Sequence, residues 1–353
     1  MNSILSQLAH SALQDEKKAK WQAPSNIALI KYWGKLGPQI PANPSLSLTL
    51  SRSLSETTLI CTPSEKMDVS FEFEGKNHPK FAQKMESFLV GLSTEWAFLK
   101  KIKFSIFSKN TFPHSAGIAS SASGMAAFCL CLLDIIYQMN NLPKDELFYI
   151  RASHLSRLGS GSACRSLYGG LVEWGQSPVD QSYSDTHATP IKMSIHPEFS
   201  HLQDAILIVS SEEKPVSSRE GHGRMGDHLF SSIRFSQAKS HFEQILKGLK
   251  TGDWTIVGPI IESEALSLHA MMMTSPEPYI LLKPKTLELI QLIKHFREES
   301  RLPVYFTIDA GPNLHVIYPE SVKAKVQTFL ENEARPLVEA IIFDEEGHGP
   351  QVC

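Results

Sequence analysis

The sequence has 353 residues, of which 42% are hydrophobic and 20% are charged, a balance typical of a folded globular protein. This composition excludes a disordered chain and a collagen-like repeat. Lys and Arg number 34 against 37 Asp and Glu, and no long block of one sign occurs. A nucleic-acid-binding protein is therefore not expected, since such proteins usually present a strongly basic surface. The length favours two domains.

The cysteines and the apolar runs indicate the cellular compartment of the protein. The five cysteines are odd in number and form no C-x-x-C pair, which argues against a disulfide framework and a zinc site. The first twenty residues do not resemble a secretory signal, and the longest apolar run, near 125–136, is too short to span a membrane. We expect a cytoplasmic protein without a membrane partner, in which this run forms a buried helix. The spacing of the 14 histidines predicts no metal site.

In the first half of the chain, apolar residues alternate with polar ones over 101–107, which predicts a strand. A helix is predicted to begin near Ser120, because small residues there lead into a run rich in Ala and Leu. Residues 143–158 predict a second helix, with Pro and acidic residues in its first turn and Gly159 just past its end. The sequence then turns polar and irregular, and we place a domain boundary at residue 200.

The predicted domains are therefore 1–200 and 201–353. The second contains helical patterns at 226–248, 254–273 and 284–299, then strand-like runs at 304–308, 314–318 and 338–343. These elements lack a regular βαβ rhythm, so we predict an α+β fold rather than a doubly wound parallel sheet.

Two segments have the residues expected of anion-binding loops. Residues 113–124, P-H-S-A-G-I-A-S-S-A-S-G, place small side chains and hydroxyls where a helix begins, and the N–H groups and dipole there favour phosphate. Residues 157–170, R-L-G-S-G-S-A-C-R-S-L-Y-G-G, place Ser160 and Ser162 near Arg165, whose guanidinium can bind carboxylate or phosphate in a bidentate manner. Close helix packing and an ordinary turn are the alternatives that local sequence leaves open.

Two further segments present charged side chains at strand ends. Residues 23–35, A-P-S-N-I-A-L-I-K-Y-W-G-K, carry Lys31, Tyr32 and Lys35 beside Trp33, which is expected to be exposed. Such a strand end suits a polyanionic substrate, although a solvated strand end is equally compatible. Residues 306–313, F-T-I-D-A-G-P-N, end a strand at Asp309, which could open a turn or act on a substrate hydroxyl.

Together, and in this order, the four segments resemble those of the GHMP superfamily of small-molecule kinases and, within it, the diphosphomevalonate decarboxylase family. The strings N-I-A-x-x-K-Y-W-G-K, A-S-S-A, G-S-G-S-A-C-R-S-L-x-G-G and D-A-G-P-N carry the resemblance, which extends from about Ala23 to Gln351. It implies a two-domain GHMP-kinase-like fold with a ribosomal-protein-S5-like N-terminal half and a ferredoxin-like C-terminal half. It also implies ATP and Mg²⁺ as cofactors, and phosphorylation of the 3-hydroxyl of 5-diphosphomevalonate followed by loss of phosphate and CO₂ to give isopentenyl diphosphate.

The resemblance also implies roles for individual residues. Asp309 matches the aspartate that orients or deprotonates the 3-hydroxyl, with Lys31 near the reacting centre and Arg165 on the substrate's acidic groups. The remaining expected positions are Tyr32, Lys35, Ser160, Ser162, Ser217 and Ser218 for substrate, and Gly117, Ala119, Ser120 and Ser121 for the nucleotide. A homodimer is the family expectation.

Two features depart from the pattern or lie outside it. Pro44 stands where many eukaryotic members carry a serine, which removes a hydroxyl and a backbone N–H. The segment 222–227, H-G-R-M-G-D, has no family role. Three other functions stay open: a mevalonate-type kinase, a decarboxylase of the monophosphate, and a homologue that binds nucleotide without catalysis.

Overall fold

The computed structural model describes residues 12–113, 120–177, 183–212 and 218–353, together with Leu5, Leu8, Ile118 and Val216. For Ser218 and Arg219 it describes the backbone alone. Within these residues, two mixed layers of sheet and helix pack against each other.

The first layer is an eight-stranded sheet in which the main strand order is β14-β1-β4-β7-β5-β6, and in which β8 pairs with β4 and β9. All its pairings are antiparallel except that of β5 with β7. A separate short hairpin joins β2 and β3. The bounds are β1 Lys17–Ile30, β2 Lys35–Gly37, β3 Ile40–Pro41, β4 Ser45–Pro63, β5 Asp68–Phe73, β6 Lys76–Asn77, β7 Ile102–Asn110, β8 Leu171–Trp174, β9 Thr189–Pro190 and β14 Gln351–Val352.

Three helices belong to this layer: α1 Pro79–Leu92, α2 Ser120–Met139 and α3 Glu146–Gly159. Helix α2 is long and apolar enough to cross a membrane by composition, but most of it is buried inside the protein, as in the core helix of a soluble protein. The predicted buried helix is thus confirmed. The predicted helix start at Ser120 and the predicted end of the next helix at Gly159 also agree with the structure within a residue.

The second layer is a four-stranded antiparallel sheet of order β11-β12-β10-β13, covered by helices. Its strands are β10 Gln203–Ile208, β11 Tyr305–Ile308, β12 Leu314–Tyr318 and β13 Ala340–Glu345, and its helices are α4 Ser218–Arg224, α5 Ser231–Thr251, α6 Trp254–Met273, α7 Pro284–Ser300 and α8 Lys323–Phe329. Sheets that are almost wholly antiparallel, with helices grouped beside them, confirm the predicted α+β class.

The two layers share one apolar core. Ile27 and Leu29 of β1 pack in the same cluster as Ile206 of β10 and Phe242 of α5. At the edge of this contact the carboxylate of Asp344 accepts hydrogen bonds from three successive backbone N–H groups of β4, at residues 51–53, at 2.8–3.0 Å. Thr307 of β11 donates to the Ala28 carbonyl of β1 at 3.2 Å, so the ends of these two strands lie against each other.

The structure corrects one expectation about an individual side chain. Trp33 was predicted to be exposed, but its side chain is only 4% exposed and packs with Met225 and Leu268. The aromatic ring is covered by residues of α6 and of the segment after α4, which come from the second layer and which local sequence does not reveal.

Candidate active site

A buried lysine and an aspartate meet where the two layers join. Lys31 follows β1, Asp309 follows β11, and Lys31 Nζ lies 2.7 Å from Asp309 Oδ1. The Lys31 side chain is 2% exposed, whereas that of Asp309 is 30% exposed. The lysine is therefore shielded from solvent, whereas the carboxylate is accessible to solvent. A group that acts on a substrate must be accessible in this way.

The two charges stabilise each other. Burial lowers the pKa of Lys31, and the negative charge of Asp309 opposes that effect. Burial by itself would raise the pKa of Asp309, but the charge and hydrogen bond of Lys31 outweigh it and hold that pKa below its ordinary value. Asp309 is consequently a carboxylate at neutral pH, able to accept a hydrogen bond from a hydroxyl.

Helix α6 aligns both members of the pair. The Glu264 carboxylate accepts a hydrogen bond from the Lys31 backbone N–H at 2.9 Å, and His269 Nε2 lies 3.1 Å from the Asp309 carbonyl oxygen, to which it donates. Glu264 is itself held by Arg234 and by His241 Nδ1, the latter at 2.7 Å. The sequence analysis missed Glu264 and His269, because only the folded chain places their helix behind the two strand ends.

Further contacts fix Lys31 in its position. Its Nζ donates to the carbonyl oxygen of Ala28 at 2.7 Å, and its own carbonyl accepts from Asn43 Nδ2 at 3.0 Å. The same Asn43 amide donates to the carbonyl of Pro44 at 2.7 Å. Pro44 thus lies beside the site, with its carbonyl helping to orient Asn43.

Arg165 brings a second buried cation to the same place. It lies in a 3-10 turn, Gly161–Leu167, where its side chain donates to Ser45 Oγ at 2.6 Å and to Asn26 Oδ1 at 3.3 Å. Among the described residues no carboxylate forms a salt bridge with it, although the charge of Asp309 acts on it from a distance. A buried guanidinium without a paired anion is costly, so this one is suited to receive an anionic ligand.

The two serines of the Gly-Ser loop stand around this turn. Ser160 ends α3 with an extended backbone, and its carbonyl accepts from the Ala163 N–H at 2.9 Å. The Ser162 carbonyl accepts from Asn26 Nδ2 at 3.3 Å. Both residues are half-buried.

Tyr32 and Lys35 form the neighbouring edge. The Tyr32 ring packs edge-on against Trp174 at 4.5 Å between centroids, and its hydroxyl lies 3.4 Å from Gln39 Oε1. Lys35 begins β2 and is half-buried. The charge of Arg165 acts on Tyr32, so this edge lies beside the buried guanidinium.

The nucleotide positions are described in part. Ser120 is the first residue of α2, and Ser121 is exposed beside it, with Lys84 Nζ 3.4 Å from its hydroxyl. A 20-residue helix whose first turn holds small residues and no acid fits phosphate oxygens. Gly117, Ala119 and Ser217 lie outside the described residues, as does the side chain of Ser218.

A magnesium ion would have few protein ligands here. Within the described part of the chain, no group of three His, Cys, Asp or Glu residues could hold a metal ion. This fits Mg²⁺ that enters with the nucleotide, since the ion keeps several waters and is bound mainly through phosphates and one or two protein groups.

Comparisons with known proteins agree on one family. The model named Diphosphomevalonate decarboxylase-like N-terminal domain matches residues 23–187, and that named Mevalonate 5-diphosphate decarboxylase C-terminal domain matches residues 205–346. A diphosphomevalonate decarboxylase from Candida albicans is 30% identical over 324 residues, which cover 87% of this chain and 86% of that relative.

Solved structures agree with this result. The mevalonate diphosphate decarboxylase from Staphylococcus aureus has a TM-score of 0.82 at 28% identity, covering 97% of this chain and 100% of that one. A structure of MDDEF in complex with MVAPP, AMPPCP and magnesium has a TM-score of 0.81 at 30% identity, covering 96% of this chain and 99% of that one.

Proposed function

The chain belongs to the diphosphomevalonate decarboxylase family, and we propose that the cleft around Lys31, Asp309 and Arg165 is where it carries out that family's reaction. It is an ATP-dependent decarboxylase of the mevalonate pathway with the GHMP-kinase-like fold, and it uses ATP and Mg²⁺. The substrate is 5-diphosphomevalonate and the product isopentenyl diphosphate.

The observation that carries the proposal is the pairing of one reachable carboxylate with two buried cations. Asp309 accepts a hydrogen bond from the tertiary 3-hydroxyl and takes up its proton as the oxygen attacks the transferred phosphoryl group. Lys31 keeps Asp309 ionised and fixes its orientation through the 2.7 Å contact. We therefore assign to Asp309 the role of orienting and activating the 3-hydroxyl.

Arg165 accounts for the decarboxylation step. Its guanidinium lacks a paired carboxylate among the described residues, and the substrate's own carboxylate is the anion lost as CO₂. The 3-phosphate leaves with its bonding electrons, and the electrons of the breaking C–C bond form the new double bond. Arg165 holds the carboxylate in the orientation from which that bond can break.

The remaining positions bind the two ends of the ligands. Tyr32, Lys35, Ser160, Ser162 and Ser218, or Ser217 in its place, contact the substrate. Gly117, Ala119, Ser120 and Ser121 surround the nucleotide phosphates, and the positive end of α2 supplies the electrostatic support for them. ATP provides the phosphoryl group, and Mg²⁺ neutralises charge on its phosphates.

We extend the proposal to the organisation of the protein. The chain divides near residue 200 into domains 1–200 and 201–353, with the cleft between them. It acts in the cytoplasm as a homodimer, without a nucleic-acid or membrane partner. These points follow from the sequence pattern and the family, and size-exclusion chromatography with light scattering measures the dimer.

Product stoichiometry tests the reaction. Purified protein with ATP, Mg²⁺ and 5-diphosphomevalonate is expected to release ADP, phosphate and CO₂ in equal amounts. A parallel assay with 5-phosphomevalonate is expected to show much lower turnover, because this compound lacks the second phosphate that Tyr32 and Lys35 are proposed to bind. ADP release without CO₂ would assign the chain to the kinases, and faster turnover of the monophosphate would change the substrate.

A further inference from the structure

His222 lies in the segment to which the sequence analysis gave no role, and the structure places it at the substrate edge. Its ring lies 4.3 Å from that of Tyr32 and 4.5 Å from that of Trp33, measured between centroids. Its Nδ1 accepts a hydrogen bond from the backbone N–H of Gly34 at 3.1 Å. One side chain of α4 thus contacts three consecutive residues after β1.

Two glycines beside this contact, Gly221 and Gly34, have no room for a side chain. A Cβ atom at Gly221 would come within 2.5 Å of both the Trp33 ring and the Tyr279 hydroxyl. At Gly34, where φ is +111°, a Cβ atom would come within 2.6 Å of the Phe235 ring. Glycine at 221 lets α4 approach Trp33, and glycine at 34 lets Phe235 of α5 pack against the turn at 32–34.

Burial and the neighbouring cations favour the neutral form of His222. Burial, and then the positive charges of Lys35 and Arg165, lower its pKa to about 3, against a small opposing effect of Asp309. On its own helix Glu220 is paired with Arg224 at 2.8 Å, and Arg224 lies over the Tyr279 ring. Since Nδ1 accepts the Gly34 hydrogen bond, the proton of the neutral ring is on Nε2.

We propose that His222 is a positioning residue of the substrate site, whose neutral ring fixes the turn at 32–34 against α4 and thereby sets the places of Tyr32 and Lys35. The inference depends on the proposed function, because it assumes that Tyr32 and Lys35 receive the diphosphate. His222 links the first layer to the second on the substrate side, as α6 does behind the reacting pair. Its loss weakens substrate binding more than it slows the chemical step.

Two substitutions separate the effect of the His222 hydrogen bond from that of its aromatic ring. His222→Phe keeps an aromatic plane between Tyr32 and Trp33 but has no acceptor, whereas His222→Asn keeps an acceptor oxygen close to the place of Nδ1. Loss of one hydrogen bond predicts a rise of about tenfold in the KM for 5-diphosphomevalonate in the Phe variant, with kcat and the KM for ATP nearly unchanged. The Asn variant is expected to stay within about threefold of wild type in all three constants.

The control is His295→Asn at an exposed position of α7, which should leave every constant unchanged. A wild-type KM in the Phe variant, an equal defect in both His222 variants, or a loss confined to kcat would each contradict the positioning role. Thermal unfolding of each variant separates a misfolded protein from a specific effect.

A measurement on the wild-type protein keeps the test independent of catalysis and of variant folding. Nitrogen-15 NMR of the histidine rings in the protein without substrate is expected to show His222 Nδ1 unprotonated and Nε2 protonated, unchanged from pH 8 to about pH 5. A ring that titrates near pH 6.5, or that carries its proton on Nδ1, would contradict the inference even if the protein decarboxylates normally.

Discussion

Buried histidines show at the scale of single residues how the fold controls charge. His154 on α3 is 2% exposed, and its Nδ1 lies 2.9 Å from the carbonyl oxygen of Thr186, to which it donates. Burial, and then the charge of Arg157, lower its pKa from 6.5 to about 4. His222 has the same character with a pKa of about 3. Both are neutral when the protein is folded and can take up protons once it unfolds.

This difference predicts a stability that falls on acidification. Between about pH 6.5 and pH 4 the unfolded chain binds protons at these sites that the folded chain does not, so unfolding becomes easier as the pH decreases. From pH 7 to pH 5 the expected loss is about 1–2 kcal/mol for each buried histidine. Urea unfolding followed at both pH values measures it.

His154→Gln is expected to be less stable than wild type at pH 7 but to lose less additional stability between pH 7 and pH 5. His295→Gln, at a solvent-exposed residue, serves as the control and should keep the wild-type pH dependence. If His154→Gln loses as much stability over this interval as the wild-type protein, His154 is not a source of the pH dependence.

Sequence alone predicts individual residues of the candidate site but not the contacts between them. Lys31, Arg165 and Asp309 were selected because each ended a strand or followed a glycine-serine turn, and the structure brings all three together. Local sequence could not choose between a turn residue and a reactive carboxylate at Asp309. The structure adds the contact with Lys31, 278 residues away along the chain, which favours the second interpretation.

At the scale of elements, α6 organises the centre of the molecule. It supplies Glu264 to the Lys31 backbone and His269 to the Asp309 carbonyl, so one helix sets the relative position of two strand ends. Its bounds, Trp254–Met273, coincide with the predicted helical stretch, because its Asp253 N-cap and long apolar run are strong local signals. No local signal in the sequence indicated that its polar residues Glu264 and His269 contact the site.

Substitution of Glu264 tests this role. Glu264→Gln keeps an acceptor for the Lys31 N–H but leaves Arg234 and His241 without their anion in a buried place. Breaking such a pair is expected to cost about 3 kcal/mol in the free energy of unfolding, whereas kcat should change much less because the Gln oxygen still accepts from the Lys31 N–H.

The matched control for this variant is Glu299→Gln, which removes an exposed ion pair with His295 and should change stability by less than about 0.5 kcal/mol. Equal stability of Glu264→Gln and wild type would contradict the role assigned to α6. Denaturant unfolding and steady-state kinetics together make the comparison.

Some helices were not predicted from the sequence, or were predicted with the wrong first residue. The helix predicted at 226–248 begins at Ser231, and the short helix α4 and the helix Pro79–Leu92 were not predicted at all. In α1 the buried residues Met85, Leu89 and Leu92 recur at helical spacing, so its sequence carries an amphipathic pattern that could have predicted it. The burial of Trp33 depends on α4, α6 and their neighbours, which come from the other half of the chain.

At the scale of the whole molecule, function depends on holding two layers in register. The shared core, the Asp344 contact with β4 and the α6 contacts hold Lys31 and Asp309 where the two layers meet. The α+β class and the family could be predicted from sequence because their motifs are local strings. The register of the layers could not, since it depends on contacts between residues more than a hundred positions apart.

The central claim is that Asp309 activates the substrate hydroxyl in an ATP-dependent decarboxylation. Asp309→Asn keeps the size of the side chain and removes the charge that Lys31 holds in place. General base catalysis typically contributes about 10²–10⁴-fold, so kcat should fall by about 10³-fold. The control is Asp68→Asn at the exposed start of β5, which should behave as wild type.

The decisive measurement is CO₂ release by Asp309→Asn, made together with its affinity for ATP. This variant is expected to form almost no CO₂ or ADP but to bind ATP within about twofold of wild type, because the proposed nucleotide-binding residues lie at the start of α2 and not on β11. Near-normal CO₂ release by this variant would contradict the account, since Asp309 would then have no part in the chemistry.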